Sequence, residues 1–204
     1  MEKHKIFISS VQKEFANDRK VLNDYLKNDA LLRRFFEPFI FEEIPASDRR
    51  ADEAYLDEVR QCSIYIGLFG YEYGIEDHEG VSPTHREFEL ATKLNKHRLI
   101  FIKGVDDAGR HPKMRKLVQM AGEQVIRRRF VAPAELITNL YASLIQYLEE
   151  KELIRTGPFD ATYCPKASMT DMDDEKIRNF VRIARKARGF PLDEEAEKEE
   201  VLTH

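Results

Sequence analysis

Glu87 and His85 are the side chains whose chemistry first suggests a site in this chain. They follow Ser82-Pro83, a pair that typically begins a helix. A short loop just before this pair carries three more candidates, Gly70, Tyr71 and Tyr73. A carboxylate, an imidazole and two phenols can hydrogen-bond a ligand or exchange protons with it. This stretch is therefore the first candidate for a functional site.

The elements that must position these side chains form a βαβ unit. Apolar runs at Ile64–Phe69 and Leu99–Ile102 predict two strands, and a helix is predicted between them from Thr84 to Lys96. Strands joined in this way are parallel, with a right-handed crossover. Because α/β sheets bind ligands in the crevice outside the carboxyl ends of their strands, the candidate residues are expected at that crevice.

Five such β/α repeats are predicted along the chain. The predicted strands are Lys5–Ser9, Phe35–Ile44, Ile64–Phe69, Leu99–Ile102 and Val125–Val131, and the predicted helices are Val11–Lys27, Ala51–Gln61, Thr84–Lys96, Pro112–Ala121 and Pro133–Leu153. This order predicts an α/β fold over residues 1–153, a flavodoxin-like doubly wound sheet of five parallel strands in the order 2-1-3-4-5. Residues 154–204 are predicted to form a connector and one helix, Asp173–Arg188, as a helical C-terminal extension.

Two further pairs of residues follow strands at the same predicted edge. Ser9 and Ser10 can hydrogen-bond a phosphate or a ribose beside a helix N-terminus, and Ser10 is equally explained as a helix N-cap. Asp48 and Arg49 follow the second strand, where an arginine can meet a phosphate, although a solvated loop also explains them. Glu87 taken alone is equally explained as a surface acid favoured by the helix macrodipole.

The composition limits the classes of protein to which the chain can belong. It has 204 residues, of which 42% are hydrophobic and 34% charged, and its net charge of −4 argues against electrostatic binding of nucleic acid. Two distant cysteines are typical of a reducing compartment, so a cytoplasmic location is expected. No run of about 18 apolar residues predicts a membrane span. The histidines and cysteines lack metal-ligand spacing, so no metal site is expected.

Three stretches in order resemble a known family. They are Phe7-Ile-Ser-Ser, the run DEVRQCSIYIGLFGYEYG from Asp57 to Gly74, and the run SPTHREFELA from Ser82 to Ala91. In these motifs the chain from Lys5 to Glu150 resembles DUF4062, a domain at the N-terminus of bacterial regulatory and defence proteins. That domain is similar to TIR domains and nucleoside 2-deoxyribosyltransferases, and the resemblance implies the same fold.

The resemblance also implies a role for Glu87. Glycosidic-bond-cleaving members of the wider group carry a glutamate eight residues before a Gly-Lys pair, and Glu87 stands eight residues before Asn95-Lys96. A carboxylate there can stabilise the positive charge that develops on ribose, form a covalent intermediate or grip the sugar hydroxyls. The ligand or substrate implied is NAD or a nucleotide, with Tyr71 or Tyr73 as the aromatic platform for the base. His85 and Asn95 depart from the pattern.

The tail carries a second resemblance. The run from Phe159 to Arg188 resembles a connector in bacterial transcriptional regulators of a RecG-helicase-like, AlbA-type group. It implies that residues 1–153 are the input module of a longer regulator, whose partners are downstream domains of the same chain. Contact with DNA would then occur only through those domains, and a homo-oligomer is expected.

Two hypotheses of different class follow. The first is a sensing and signalling module of a transcriptional regulator that binds a nucleotide-type ligand or a protein. The second is an N-glycosidase or ribosyltransferase that acts on NAD or nucleotides, with Glu87 as its catalytic carboxylate. A deep cleft with Glu87 facing into it favours the enzyme, whereas Glu87 in a surface ion pair over a filled crevice favours the module.

Overall fold

The structure, a computed structural model, describes residues 3–40 and 51–154. Along the chain the elements are β1 (His4–Ser10), α1 (Gln12–Asn28), α2 (Leu32–Phe35), β2 (Phe36–Phe39), α3 (Ala51–Gln61), β3 (Ile64–Phe69), α4 (Pro83–Lys93), β4 (His97–Lys103), α5 (Pro112–Gln124), β5 (Arg127–Phe130) and α6 (Pro133–Glu150). The predicted connector and the helix Asp173–Arg188 lie outside the described residues.

The five strands form one parallel sheet in the order β2-β1-β3-β4-β5. The predicted flavodoxin-like topology is therefore confirmed. β3 lies at the centre of the sheet, and all six of its residues are buried. Such continuous burial explains its uninterrupted apolar sequence, because helices cover both faces of a parallel sheet.

Each face of the sheet has its own apolar core. On one face, Ile64, Ile66 and Leu68 of β3 pack with apolar residues of α1 and α6. On the other face, Tyr65 and Phe69 pack with apolar residues of α3, α4 and α5. Alternate residues of a strand point to opposite faces, so one strand supplies both cores.

The strand order reverses between β1 and β3, and this switch point fixes the position of the candidate site. β1 is flanked by β2 and β3, so the connections that leave β1 and β3 diverge to opposite faces of the sheet. The crevice between their carboxyl ends is bordered by Ser9 and Ser10 of β1 and by the loop after Phe69.

Among the described helices, none is long and apolar enough to cross a bilayer.

Candidate active site

The buried stripe of α4 carries an acid where an apolar residue is the norm. Ser82 caps the helix, its hydroxyl accepting from the His85 backbone N–H at 3.4 Å, and Pro83 occupies the first turn. The buried positions of α4 follow the helical period: Thr84, Glu87, Phe88 and Ala91. Glu87 is the one ionisable member of this stripe, and only 4% of its surface is exposed.

Ser9 and Glu87 form the centre of the site. The Ser9 hydroxyl donates to Oε2 of Glu87 at 2.5 Å, joining the end of β1 to the first turns of α4. Within residues 3–40 and 51–154, Ser9 is the only hydrogen-bond partner of the Glu87 carboxyl group. Burial raises the pKa of Glu87 to about 7, against the opposing effects of the Ser9 hydrogen bond and the Arg19 charge. Both protonation states are therefore populated at neutral pH.

Tyr65 of β3 adds a neutral phenol near this pair. It is fully buried, and its hydroxyl has no hydrogen-bond partner in the part of the chain that is described. Burial, followed by the negative charge of Glu87, raises the pKa of Tyr65 well above its ordinary value. Tyr65 was not singled out from the sequence, because an aromatic residue in an apolar strand looks like core.

Glu87 faces a cavity of about 810 Å³ at the switch point. The cavity is lined by Phe7, Ile8, Ser10, Val11, Gln12, Lys13, Arg19, Tyr55, Tyr71, Glu72, Tyr73, Gly74, Ile75, Pro83, Thr84, Glu87, Gly109 and His111. Four residues predicted from the sequence are in this set, namely Ser10, Tyr71, Tyr73 and Glu87. Ser9 meets the site through its bond to Glu87, whereas Gly70 and His85 do not line the cavity.

Two cations of α1 lie in the cavity wall, and neither was a candidate from the sequence. Arg19 is buried and donates to the Ile8 carbonyl at 2.7 Å and to the Ser10 hydroxyl at 3.2 Å. Lys13 lies six residues earlier on the same helix, about 1.7 turns away, and also lines the cavity. These cations place positive charge in the wall that also contains Glu87.

Gly70 allows a contact between α1 and the loop after β3. Both oxygens of Glu14 accept backbone hydrogen bonds from this loop, from Tyr71 at 2.7 Å and from Glu72 at 3.0 Å. A Cβ at Gly70 would overlap the Glu14 carboxylate, so glycine is required for this close approach. The loop that carries Tyr71 and Tyr73 is thereby anchored to α1.

Tyr71 is fixed from beneath. Its hydroxyl packs against Gly104, whose φ of +94° also favours glycine, and the Arg110 guanidinium lies 5.1 Å from the centre of its ring. Arg110 is buried and donates to the carbonyls of Gly70 and Lys103, which ties the ends of β3 and β4 together. Tyr71 is thus a rigid aromatic wall of the cavity.

Tyr73 connects the cavity to His85. The Tyr73 hydroxyl and Nδ1 of His85 are 2.6 Å apart, and Nε2 of His85 lies 3.3 Å from Glu89 without the geometry of a hydrogen bond. Burial lowers the pKa of His85, so its ring is neutral at pH 7 and accepts from the phenol. His85 therefore positions Tyr73 and does not face a ligand itself.

The Asn95-Lys96 pair has a structural explanation. Asn95 has a φ of +53°, a conformation that glycine adopts freely and that asparagine tolerates. Nζ of Lys96 donates to the carbonyls of Arg60 at 2.6 Å and Cys62 at 2.8 Å, and so caps the end of α3. Asparagine is therefore compatible with the left-handed conformation of the turn that follows α4.

Asp48 and Arg49 lie outside the described residues, so their predicted role at the site stays a prediction. The described part of the chain holds no group of three or more His, Cys, Asp or Glu side chains arranged to bind a metal ion.

Comparison with known proteins identifies the family. The family described as "Domain of unknown function (DUF4062)" matches residues 5–145. The chain belongs to the DUF4062 family. No curated protein matches it in sequence.

Solved structures with low structural similarity and low sequence identity to this DUF4062 domain were also found. They include the CMP N-glycosidase BcmB of Clostridium botulinum, with a TM-score of 0.44 and 13% identity, covering 68% of this chain and 98% of that one. A 2-desoxiribosyltransferase from Leishmania mexicana has a TM-score of 0.36 and 17% identity, covering 48% of this chain and 64% of that one.

Proposed function

We propose that this DUF4062 domain is an N-glycosidase or ribosyltransferase that cleaves the bond between ribose and base in a nucleotide or in NAD. The observation that carries the proposal is the Glu87 carboxyl group, which is buried, faces the cavity and is bonded to Ser9. None of the described residues forms an ion pair with it. An acid with only a structural role would be expected at the surface or paired with a cation.

Burial of this carboxylate suits the chemistry. As the C–N bond breaks, the electron pair leaves with the base and positive charge develops on the sugar ring. A carboxylate that has lost its water shell interacts more favourably with that positive charge than with the neutral substrate, so it stabilises the transition state more than the ground state. Glu87 then either stabilises the cation while water attacks C1′ or itself forms the C1′–O bond that water later hydrolyses. Ser9 holds the carboxylate in place for either route.

The rest of the cavity suits a nucleotide. A volume of about 810 Å³ lies in the range of small-molecule sites, roughly 300 to 1,000 Å³. Arg19 and Lys13 supply positive charge for phosphate, and Tyr71 offers a rigid aromatic surface for a base. Acid, cation and aromatic wall thus occur around one cavity.

The test is release of free base from CMP, UMP, AMP, GMP, NAD and the matching nucleosides, followed by chromatography. The full 204-residue chain is used at low and high protein concentration, because an active site can depend on self-association. Base release that disappears in Glu87→Gln and persists in Glu89→Gln supports the proposal; Glu89 is the matched control, with a side chain 56% exposed on the same helix. Absence of release from every substrate, with a nucleotide-dependent rise in Tm, would favour the sensing module instead.

A further inference from the structure

We propose that His111 is a further catalytic residue, whose Nε2–H donates a hydrogen bond to the nucleobase as it leaves the sugar. The inference rests on the proposed function and deepens it, because it names the side chain that meets the base. His111 lies at the start of α5 and lines the same cavity as Glu87. It was not a candidate in the sequence, where it is an isolated histidine before a proline.

Three contacts hold His111 in one orientation. Its backbone N–H donates to the Tyr71 carbonyl at 2.8 Å. Its Nδ1 accepts from the Lys113 backbone N–H at 3.3 Å, as the N-cap of α5. Its ring stacks on Tyr73, with centroids 5.5 Å apart and planes inclined by 14°. The last two contacts are made by the imidazole ring itself, so the ring is set in place before a ligand binds.

These contacts also fix the proton. Because Nδ1 accepts a hydrogen bond from the Lys113 N–H, the ring carries its proton on Nε2. Nε2 donates to no residue in the described ranges. An imidazole N–H held in this way donates a hydrogen bond to the negative charge that develops on a leaving base. The cavity therefore has a free donor at its exposed rim and a carboxyl group on its buried wall.

This arrangement assigns the two ends of the substrate. C1′ lies against Glu87 at the buried wall, and the base extends towards His111 at the rim. When the C1′–N bond breaks, the base takes the electron pair and its carbonyl or ring nitrogen accepts the Nε2–H hydrogen bond; it then takes a proton from water. The sugar receives hydroxide from that same water, so the net reaction is hydrolysis. Nicotinamide leaves NAD as a neutral molecule and needs no such donor, so the donor points to purine or pyrimidine nucleotides as substrates.

Two variants separate the donor from the structural contacts. His111→Asn retains an acceptor for the Lys113 N–H and His111→Phe retains an aromatic ring against Tyr73, whereas both lose Nε2–H. For CMP, UMP, AMP or GMP, whichever the protein cleaves, kcat/KM should fall about 10- to 100-fold in both variants. For the 4-nitrophenyl riboside 5′-phosphate, whose leaving group needs no donor, it should change less than about threefold. His78→Asn, at an exposed position in the loop before α4, is the control.

An equal loss of kcat/KM for the nucleotide and the 4-nitrophenyl substrate, or no loss for the nucleotide, would overturn the role of His111. If the wild-type protein releases no base at all, the proposed function fails. A binding experiment then tests separately whether His111 contacts the base of a bound nucleotide. CMP is then added to Glu87→Gln protein with labelled histidine. A change in the Nε2 signal of His111 supports its contact with the base, and an unchanged signal on saturation overturns it.

Discussion

Glu87→Gln is expected to stabilise the folded protein at alkaline pH. The carboxyl group is buried with a pKa of about 7, whereas an unfolded glutamate titrates at about 4.5. Ionisation of Glu87 above pH 7 therefore costs folding free energy that a neutral glutamine does not cost. Glutamine has nearly the same shape, and its carbonyl can still accept the Ser9 hydrogen bond.

The magnitude follows from the two pKa values. Between pH 4.5 and 7 the folded state binds more protons at Glu87 than the unfolded state, so stability decreases as pH rises through this window and levels off above it. A difference of about 2.5 pH units at 1.36 kcal/mol each corresponds to about 3 kcal/mol. The Gln variant should therefore gain about 3 kcal/mol relative to wild type between pH 4.5 and pH 8.

Urea unfolding at pH 5, 6, 7 and 8 measures this difference directly. The stabilities of wild type and Glu87→Gln should diverge between pH 5 and 7 and change little relative to each other between pH 7 and 8. The stability of the control Glu89→Gln should follow that of wild type. Parallel stability curves for wild type and Glu87→Gln would refute the reasoning, since they would mean that Glu87 ionises as easily in the folded protein as in the unfolded chain.

Three other substitutions test the surroundings of the site. Ser9→Ala removes a hydrogen bond that lowers the pKa of Glu87. The midpoint of the rise in base release with pH should therefore move to higher pH by about 1 to 2 units. An unchanged midpoint would contradict this. Gly70→Ala should lower the free energy of unfolding in urea by about 2 kcal/mol, because Glu14 must give up its backbone hydrogen bonds. The loss should be smaller when Glu14→Ala is already present. Equal losses in both backgrounds would contradict this explanation. Lys103→Met should lower the free energy of unfolding by about 2 kcal/mol or more, because it leaves the buried Asp18 carboxylate without its cation. If the ion pair is the cause, adding Asp18→Asn should recover part of that loss.

The fold could be predicted from local pattern because its strands and helices are strongly periodic. Ile64–Phe69 and Ala51–Gln61 have the bounds that the sequence predicted, and the triple arginine correctly placed β5 at the edge of the sheet. α2 was missed, because four residues are too few to show a helical period. β5 is shorter than predicted, since Val125 is the C-cap of α5 and Ile126 lies between that helix and the strand.

The site could be predicted only in part. Glu87, Ser10, Tyr71 and Tyr73 lie close together because they follow neighbouring strands, which a βαβ pattern indicates. Ser9 and Glu87 are 78 positions apart in sequence, so no spacing rule reveals their hydrogen bond. Arg19 lies well inside α1, and its contact with the cavity depends on how that helix packs on the sheet.

The measurement that tests the account most directly is the pH dependence of base release by wild type and by Glu87→Gln. With an ionised Glu87 as the reacting group, release by wild type should rise with pH, with a midpoint near 7, and reach a plateau. On the plateau above pH 7, base release by Glu87→Gln should be about 10³-fold slower than by wild type or slower still, as expected when the central catalytic group is removed, and it should lack the rise with pH. Release that is equally fast in the variant, or that declines through pH 7 in wild type, would contradict a catalytic Glu87 carboxylate.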